Sequence, residues 1–419
     1  HCIFVYIVKK EEDIMKKFNK FLSVAVASAM VMAMAGCGNT DNGSAATGTN
    51  AATESAAASD SAASGSVFKI GGIGPTTGGA AVYGLAVQHG AEIAVEEINA
   101  AGGINGYQVE FKFQDDEADA EKSVNAYNAL KDWGAQIIDG STTSGACIAV
   151  TDKTKEDNMF QITPSGSAVE CVQYDNNFRV CFSDPNQGLA SAQYIGENGL
   201  AEKIAVIYDS SDVYSSGIYE KFAKEAENQP FEIVAAEAFT ADNKTDFSVQ
   251  LQKAKDAGAD MVFLPIYYQE SALILTQAAA MGYAPKWFSC DGMDGILGGV
   301  DNFDVSLTEG VMLLTPFAAD ATDDLTQSFV TKYKEKYGET PNQFAADSYD
   351  AIYVIKAAIE KSGVTPDMSV SDICDGMKAA MTEITVDGLT GSGMTWTADG
   401  EANKAPKAVV IENGAYKAM

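Results

Sequence analysis

Histidine is almost missing from this chain: it has two in 419 residues, and one of them is the first. Only His89 lies in the body, so a Ser-His nucleophile or a histidine metal site is poorly supplied. Cysteine is sparse and scattered. Cys147, Cys171, Cys181, Cys290 and Cys374 form no CxxC pair and no zinc spacing. Cys171 and Cys181 can bridge in an oxidising compartment, and the odd count leaves at least one thiol over. No phosphate loop is present. Gly74-Pro-Thr-Thr-Gly-Gly79 has the wrong spacing for GxGxxG, and Pro75 brings no N–H. Positive charge is scarce too, with 28 Lys and Arg against 58 Asp and Glu and a formal net charge of −30. Such a surface repels nucleic-acid phosphates and gives no electrostatic grip on anionic lipid. These absences leave no assignable metal, cofactor or catalytic residue, and point away from an enzyme.

A long apolar run is also lacking. Phe21 to Ala35 is uncharged and apolar, but a spanning helix needs about 20 such residues. It follows Lys16, Lys17 and Lys20 and ends in Met34-Ala-Gly-Cys37, which reads as a signal segment. The ending resembles a bacterial lipobox, with Met34 where leucine is usual. That resemblance implies a signal over 15–36 and a lipidated Cys37, with 1–14 an upstream fragment. Asn39 to Ser66 is nearly all Ala, Ser, Thr, Gly, Asn and Asp. It cannot bury a core, so 37–66 is expected to be a flexible tether on the outer face of the cell membrane.

The body from Ser66 onward is long enough for two domains. Strand-like runs at Val67–Gly74, Gln108–Gln114, Ala135–Asp139 and Phe160–Pro164 alternate with helical periodicity. In Tyr83–Asn99, Val87, Ala91, Ala94, Val95 and Ile98 share one face, and Ala120–Asp132 follows. The alternation resumes past Asn186. Strands are expected at 203–208, 232–239, 261–265 and 286–289, and helices at 215–228, 246–257 and 270–281. Further strands at 311–314 and 405–411 and helices at 323–337 and 345–362 complete an α/β chain. It should form two doubly wound parallel sheets.

The loops Gly140-Ser-Thr-Thr-Ser-Gly145 and Ser165-Gly-Ser167 each follow a strand and flank an expected helix over 147–157. Ligands bind open parallel sheets at the carboxyl ends of strands, where such loops lie. Hydroxyls and free N–H groups at a helix start suit a small anion such as a carboxylate. A plainer reading is that these residues only cap helices.

Five stretches carry a family resemblance in order: EEINAAGGINGYQVEF (96–111), QDDEADAEKSVNAYNAL (114–130), ITPSGSA (162–168), DFSVQLQKAKDAGADMVFLP (246–265) and CDGMDG (290–295). Together they resemble the branched-chain amino-acid-binding branch of type I periplasmic binding proteins, the solute receptors of ABC importers. The resemblance implies two lobes joined by a three-strand hinge. Lobe one would be 67–183 plus 314–389, and lobe two 184–313 plus 390–419. It places Ser144, Ser165, Gly166 and Ser167 around a ligand carboxylate. Tyr83, Tyr214 and Tyr267 become pocket aromatics, and Asp291, where relatives carry Glu, faces the ammonium. It further implies a monomeric receptor for an amino acid such as leucine, isoleucine or valine, closing on its hinge and feeding a membrane permease. Amides, urea and aromatic acids are ligands of other branches. A lipid-anchored sensor for a signalling receptor is the rival class; such ectodomains usually precede a membrane helix, and no apolar run follows this body.

Overall fold

A computed structural model of the protein describes residues 66–419. The expected signal, lipidation site and most of the tether lie outside those residues. The chain alternates strand and helix as the periodicity requires. Strands β1 (Phe68–Gly74), β2 (Val109–Asp115), β3 (Ile137–Asp139), β4 (Phe160–Thr163) and β5 (Asn177–Arg179) form one sheet in the order β2-β1-β3-β4-β5. Every pairing in it is parallel. The inner strands β3 and β4 are buried along their whole length, as a parallel sheet covered on both faces demands. Helices α1 (Ala81–Ala100), α2 (Ala120–Trp133) and α3 (Ser144–Asp157) make the crossovers.

A second sheet holds β6 (Lys203–Asp209), β7 (Glu232–Phe239), β8 (Met261–Leu264), β9 (Lys286–Ser289), β10 (Met312–Thr315), β11 (Lys407–Glu412) and β12 (Ala415–Ala418). Its order is β12-β11-β10-β9-β8-β6-β7. The strands from β6 to β10 are parallel, whereas β11 and β12 add an antiparallel edge. Helices α4 (Asp184–Glu197), α5 (Val213–Ala226), α6 (Ser248–Asp256) and α7 (Tyr268–Ala280) accompany this sheet. Then α8 (Asp324–Tyr337), α9 (Gln343–Ser362) and α10 (Val370–Met381) return to the first. There α9 packs on α1 and α10 on β4. The chain thus passes between the two layers three times: after β5, after β10 and before β11.

Two helices, α4 and α10, stand outside the expected elements. The buried residues of α4 are Asp184, Gln187, Gly188, Ser191, Ala192, Ile195 and Gly196, so its apolar stripe is faint. The small residues have a steric cause: a Cβ on Gly188 would come within 2.4 Å of the Ile218 carbonyl on α5. The five cysteines of the body are free and buried, so Cys171 and Cys181 are not bridged.

Sheet order decides where a site can form. In the first sheet the chain reverses direction of travel at β1/β3, and in the second at β6/β8. A crevice opens outside the strand ends at each such switch point. The loops after β1, β3, β4, β6, β8 and β9 gather there.

Candidate ligand-binding site

Those loops line one small cavity. Its lining is Tyr83, Thr142, Thr143, Ser144 and Ser165 on one side and Tyr214, Tyr267, Asp291 and Gly292 on the other, with Phe344 beside Tyr83. Six of the eight expected site residues share this one space. Gly166 and Ser167 lie behind it. The Gly166 N–H donates to Thr163 Oγ1 (2.7 Å), and Ser167 N–H to Ser144 Oγ (3.2 Å).

One end of the cavity is built to take negative charge. Helix α3 starts at Ser144, three residues before the expected start, so Ser144 lies in its first turn. Thr143 holds the N-cap position with extended backbone (φ −96°, ψ 150°), yet its side chain does not cap. The Thr143 Oγ1 is buried and has no hydrogen-bond partner. The first N–H groups of a helix have no partner within it, and the helix dipole adds partial positive charge. Neighbouring hydroxyls are already engaged. Ser144 Oγ accepts from Ser167 N and from Ala168 N (3.1 Å), and Ser165 Oγ donates to the Thr142 carbonyl (2.6 Å). Behind the 166–169 loop lies Arg179, fully buried, which donates to the carbonyls of Gly166, Ser167, Ala168 and Val169. Its Nε lies 3.3 Å from Glu401.

The opposite end presents an acid. Asp291 is 4 % exposed, and its Oδ1 accepts from Tyr214 O–H at 2.7 Å. Burial pushes its carboxyl up to about 7, against hydrogen bonds from Tyr214 and Gln187 that favour the charged form. No lysine or arginine lines the cavity. The buried Lys404 is taken up by Asp347 at 2.6 Å. A cationic group arriving in the cavity would therefore meet an uncompensated carboxyl.

Aromatic rings close the walls. Tyr214 stacks on Tyr267 with centroids 5.1 Å apart, and Tyr83 meets Tyr267 edge-on at 5.5 Å. The Tyr83 hydroxyl donates to the Gly292 carbonyl and accepts from Tyr268 N–H (3.2 Å). It thus ties helix α1 of the first layer to two loops of the second. Phe344, at the start of α9, tilts over Tyr83 with centroids 4.4 Å apart. Sequence reasoning marked the loop that holds Thr142 and Thr143 without singling them out, and it did not find Gly292 or Phe344. The first three stand beside residues it did find. Phe344 had no local signal, being set by the packing of α9 on α1. A Cβ on Gly90 would fall 2.0 Å from the Ala345 carbonyl, so that approach needs glycine. Among the described residues no group of three His, Cys, Asp or Glu could hold a metal ion. No described helix is long and apolar enough to cross a membrane.

Comparison with known proteins agrees with this architecture. Residues 67–415 match the family model described as periplasmic binding protein. The Leu/Ile/Val-binding protein homolog 3 of Brucella melitensis is 31% identical over 300 residues, covering 71% of this chain and 80% of the relative. The leucine-, isoleucine-, valine-, threonine- and alanine-binding protein of Pseudomonas aeruginosa is 30% identical over 302 residues, 70% and 78% of the two chains. Among solved structures, the substrate-binding protein LivJ of Streptococcus pneumoniae in complex with isoleucine superposes with a TM-score of 0.76 at 29% identity, covering 84% of this chain and 98% of that one. The leucine-binding protein LivK of Thermotoga maritima gives 0.74 at 28%, with the same coverage. Two parallel-sheet α/β lobes around a cleft, and a family match over nearly the whole body, place the chain in the periplasmic binding protein family, among the branched-chain amino-acid-binding proteins.

Proposed function

We propose that this chain is the extracytoplasmic solute receptor of an ABC importer and that its ligand is a branched-chain or other small amino acid. The observation that carries the reading is the polarity of one cavity. An uncapped helix start with the orphan Thr143 hydroxyl faces one end, and the Asp291 carboxyl faces the other. A zwitterion needs that pair. Charge-assisted hydrogen bonds in a site shut off from water are the strong ones. The four aromatic rings between them can bury an aliphatic side chain at about 25 cal/mol per Å².

In this reading Ser144, Ser165, Gly166 and Ser167 form or support the carboxylate end, and Asp291 with Tyr214 the ammonium end. Lobe one is 67–183 plus 314–389, and lobe two 184–313 plus 390–419. The ligand docks on lobe one and lobe two rotates onto it. The ligand shifts the open–closed equilibrium by its preference for the closed form. A membrane permease then takes the ligand from the closed receptor. The receptor acts as a monomer, with Cys37 lipidated and tethering it to the outer membrane face. Nothing is done chemically to the ligand.

Calorimetric titration tests this. The purified protein is unfolded and refolded to strip bound ligand, then titrated with the twenty amino acids, short amides and aromatic acids. Micromolar or tighter binding of leucine, isoleucine or valine, lost in Asp291→Ala and Thr143→Val, is the expected result. A tight ligand without an amine, indifferent to Asp291→Ala, would keep the receptor class and overturn the zwitterion site. Binding by none of the panel would favour the sensor class.

A further inference from the structure

The Asp291 carboxyl is aimed by its peptide, and that peptide is held on both sides. Its N–H donates to Gln187 Oε1 on α4 (3.2 Å). Its carbonyl accepts from Gln343 Nε2 (2.9 Å). Gln343 is the first residue of α9 and is 1 % exposed. Its backbone N–H donates to Asp294 Oδ2 at 2.9 Å, and its Oε1 pairs with Thr315 Oγ1 at 3.0 Å. One side chain therefore joins three parts: a helix packed on the first layer, the 291–294 turn of the second, and the strand end where the chain crosses between them. Asp294 adds a carboxylate at the positive end of the α9 dipole. Phe344, the next residue, is part of the cavity wall. Phe344 is held there by its packing on Tyr83, whereas the Gln343 side chain bears only on the backbone of the acid.

We propose that Gln343 is a positioning residue for the acid of the ammonium subsite, and that Asp291 enters the cavity correctly only when the first turn of α9 is seated on the 291–294 turn. The proposal rests on the zwitterion reading above. It makes recognition of the amine depend on a residue that does not line the cavity. Gln343 acts on the amine end alone, because the carboxylate end is built from α3 and the 165–168 loop, which it does not touch.

The test compares leucine with 4-methylpentanoate, the same skeleton without the amine, by calorimetry on the refolded full chain. In Gln343→Ala, leucine affinity should fall about tenfold or more, the scale of one lost buried hydrogen bond to a functional group. Affinity for 4-methylpentanoate should stay within about twofold, since its contacts are untouched. The discrimination should collapse to that of Asp291→Asn, and adding Gln343→Ala to Asp291→Asn should cost nothing further. Equal losses for both ligands, or none for leucine, would overturn the proposal. Should Gln343→Ala fail to fold, Gln343→Met keeps the bulk and the backbone bond to Asp294 while removing the Nε2 donor without adding a charge. If the unaltered protein binds neither probe, the zwitterion reading has failed by itself. The positioning role is then read from the carboxyl carbon resonance of Asp291 in the ligand-free protein. Its titration midpoint should move in Gln343→Met, which adds no charge, and an unmoved midpoint overturns the role.

Discussion

The Arg179 guanidinium lies against the Ser167 carbonyl, with Nη1 2.5 Å from the oxygen. The same group donates to the three neighbouring carbonyls of the loop whose N–H groups hold Ser144. With the carbonyls satisfied by one buried cation, the loop is rigid and its donors face the other way. Removing the cation leaves several buried carbonyls orphaned and Glu401 without its partner. Arg179→Met should therefore destabilise the fold by about 3–5 kcal/mol, the cost of breaking a buried charged network from one side. Thermal or urea unfolding checks this. Ligand affinity should fall as well, since the loop that braces Ser144 loses its support.

Tyr83 offers a cleaner probe of closure. Its hydroxyl makes both bonds to the second layer, while its ring packs on Phe344 and Tyr267. Tyr83→Phe keeps the ring and leaves the Gly292 carbonyl and Tyr268 N–H unpaired in the closed form. An orphaned buried group costs about 1–3 kcal/mol, so ligand should dissociate some five- to 150-fold faster. Stopped-flow release measures this. An unchanged off-rate would mean that the hydroxyl does not hold the lobes together.

Much of the site was legible because strand ends and turn residues are local signals. The two loops that carry Ser144 and Ser165 stand out as short apolar runs followed by small hydroxyl residues, whereas Ser144, Ser165 and Asp291 were singled out by the family resemblance. What escaped was set by distant contacts. Phe344 and Gln343 lie some two hundred positions along the chain from Ser144, and the packing of α9 on α1, tightest at Gly90 and Ala345, brings them to the cleft. Helix α4 escaped because tight packing on α5 replaced its apolar stripe with glycine, serine and alanine. The antiparallel edge, β11 with β12, has a strand pattern that gives no direction of pairing.

Two acids away from the cavity give the fold its own pH response. Asp116 and Asp139 are buried, and burial pushes each up to about 7 from the ordinary 3.8. Each leaves a carboxyl oxygen without a partner. The folded protein therefore binds these protons more tightly than the unfolded chain. Their contribution is fully present below about pH 4 and is lost as pH rises through 7. Paired acids such as Glu97 and Asp157 act oppositely, but their lowered values confine that loss to more acidic solution. One pK unit is worth about 1.4 kcal/mol, so part of these shifts moves the midpoint by several degrees. The unfolding temperature should be higher at pH 5.5 than at pH 8.5. Asp116→Asn with Asp139→Asn should reduce the difference, the remainder coming from other buried acids such as Asp184 and Asp291.

Asp291 predicts a pH dependence of the opposite sign for binding. Burial between the two layers pushes the Asp291 carboxyl up to about 7. An ammonium needs the carboxylate, so binding expels its proton. Affinity for an amino acid should be nearly constant above pH 8 and weaken towards tenfold per unit well below pH 7. The amine-free analogue should show no such decline. Calorimetry in two buffers of different ionisation heat detects the released proton directly. Asp291→Asn should abolish both the release and the slope.

Thr143 separates binding from folding. Its hydroxyl is buried without a partner in the protein, which costs the fold the desolvation of a polar group. Valine has nearly the same shape and no hydroxyl. In Thr143→Val the ligand-free protein should be as stable as the unaltered one, or slightly more so. Ligand affinity should nonetheless fall about tenfold, because a charge-assisted bond to the carboxylate is lost. A loss of stability matching the loss of affinity would make Thr143 a structural residue and move the carboxylate subsite elsewhere. Affinity lost from a fold that is no weaker would mean that the orphan hydroxyl is kept for the ligand, at some expense to the empty protein.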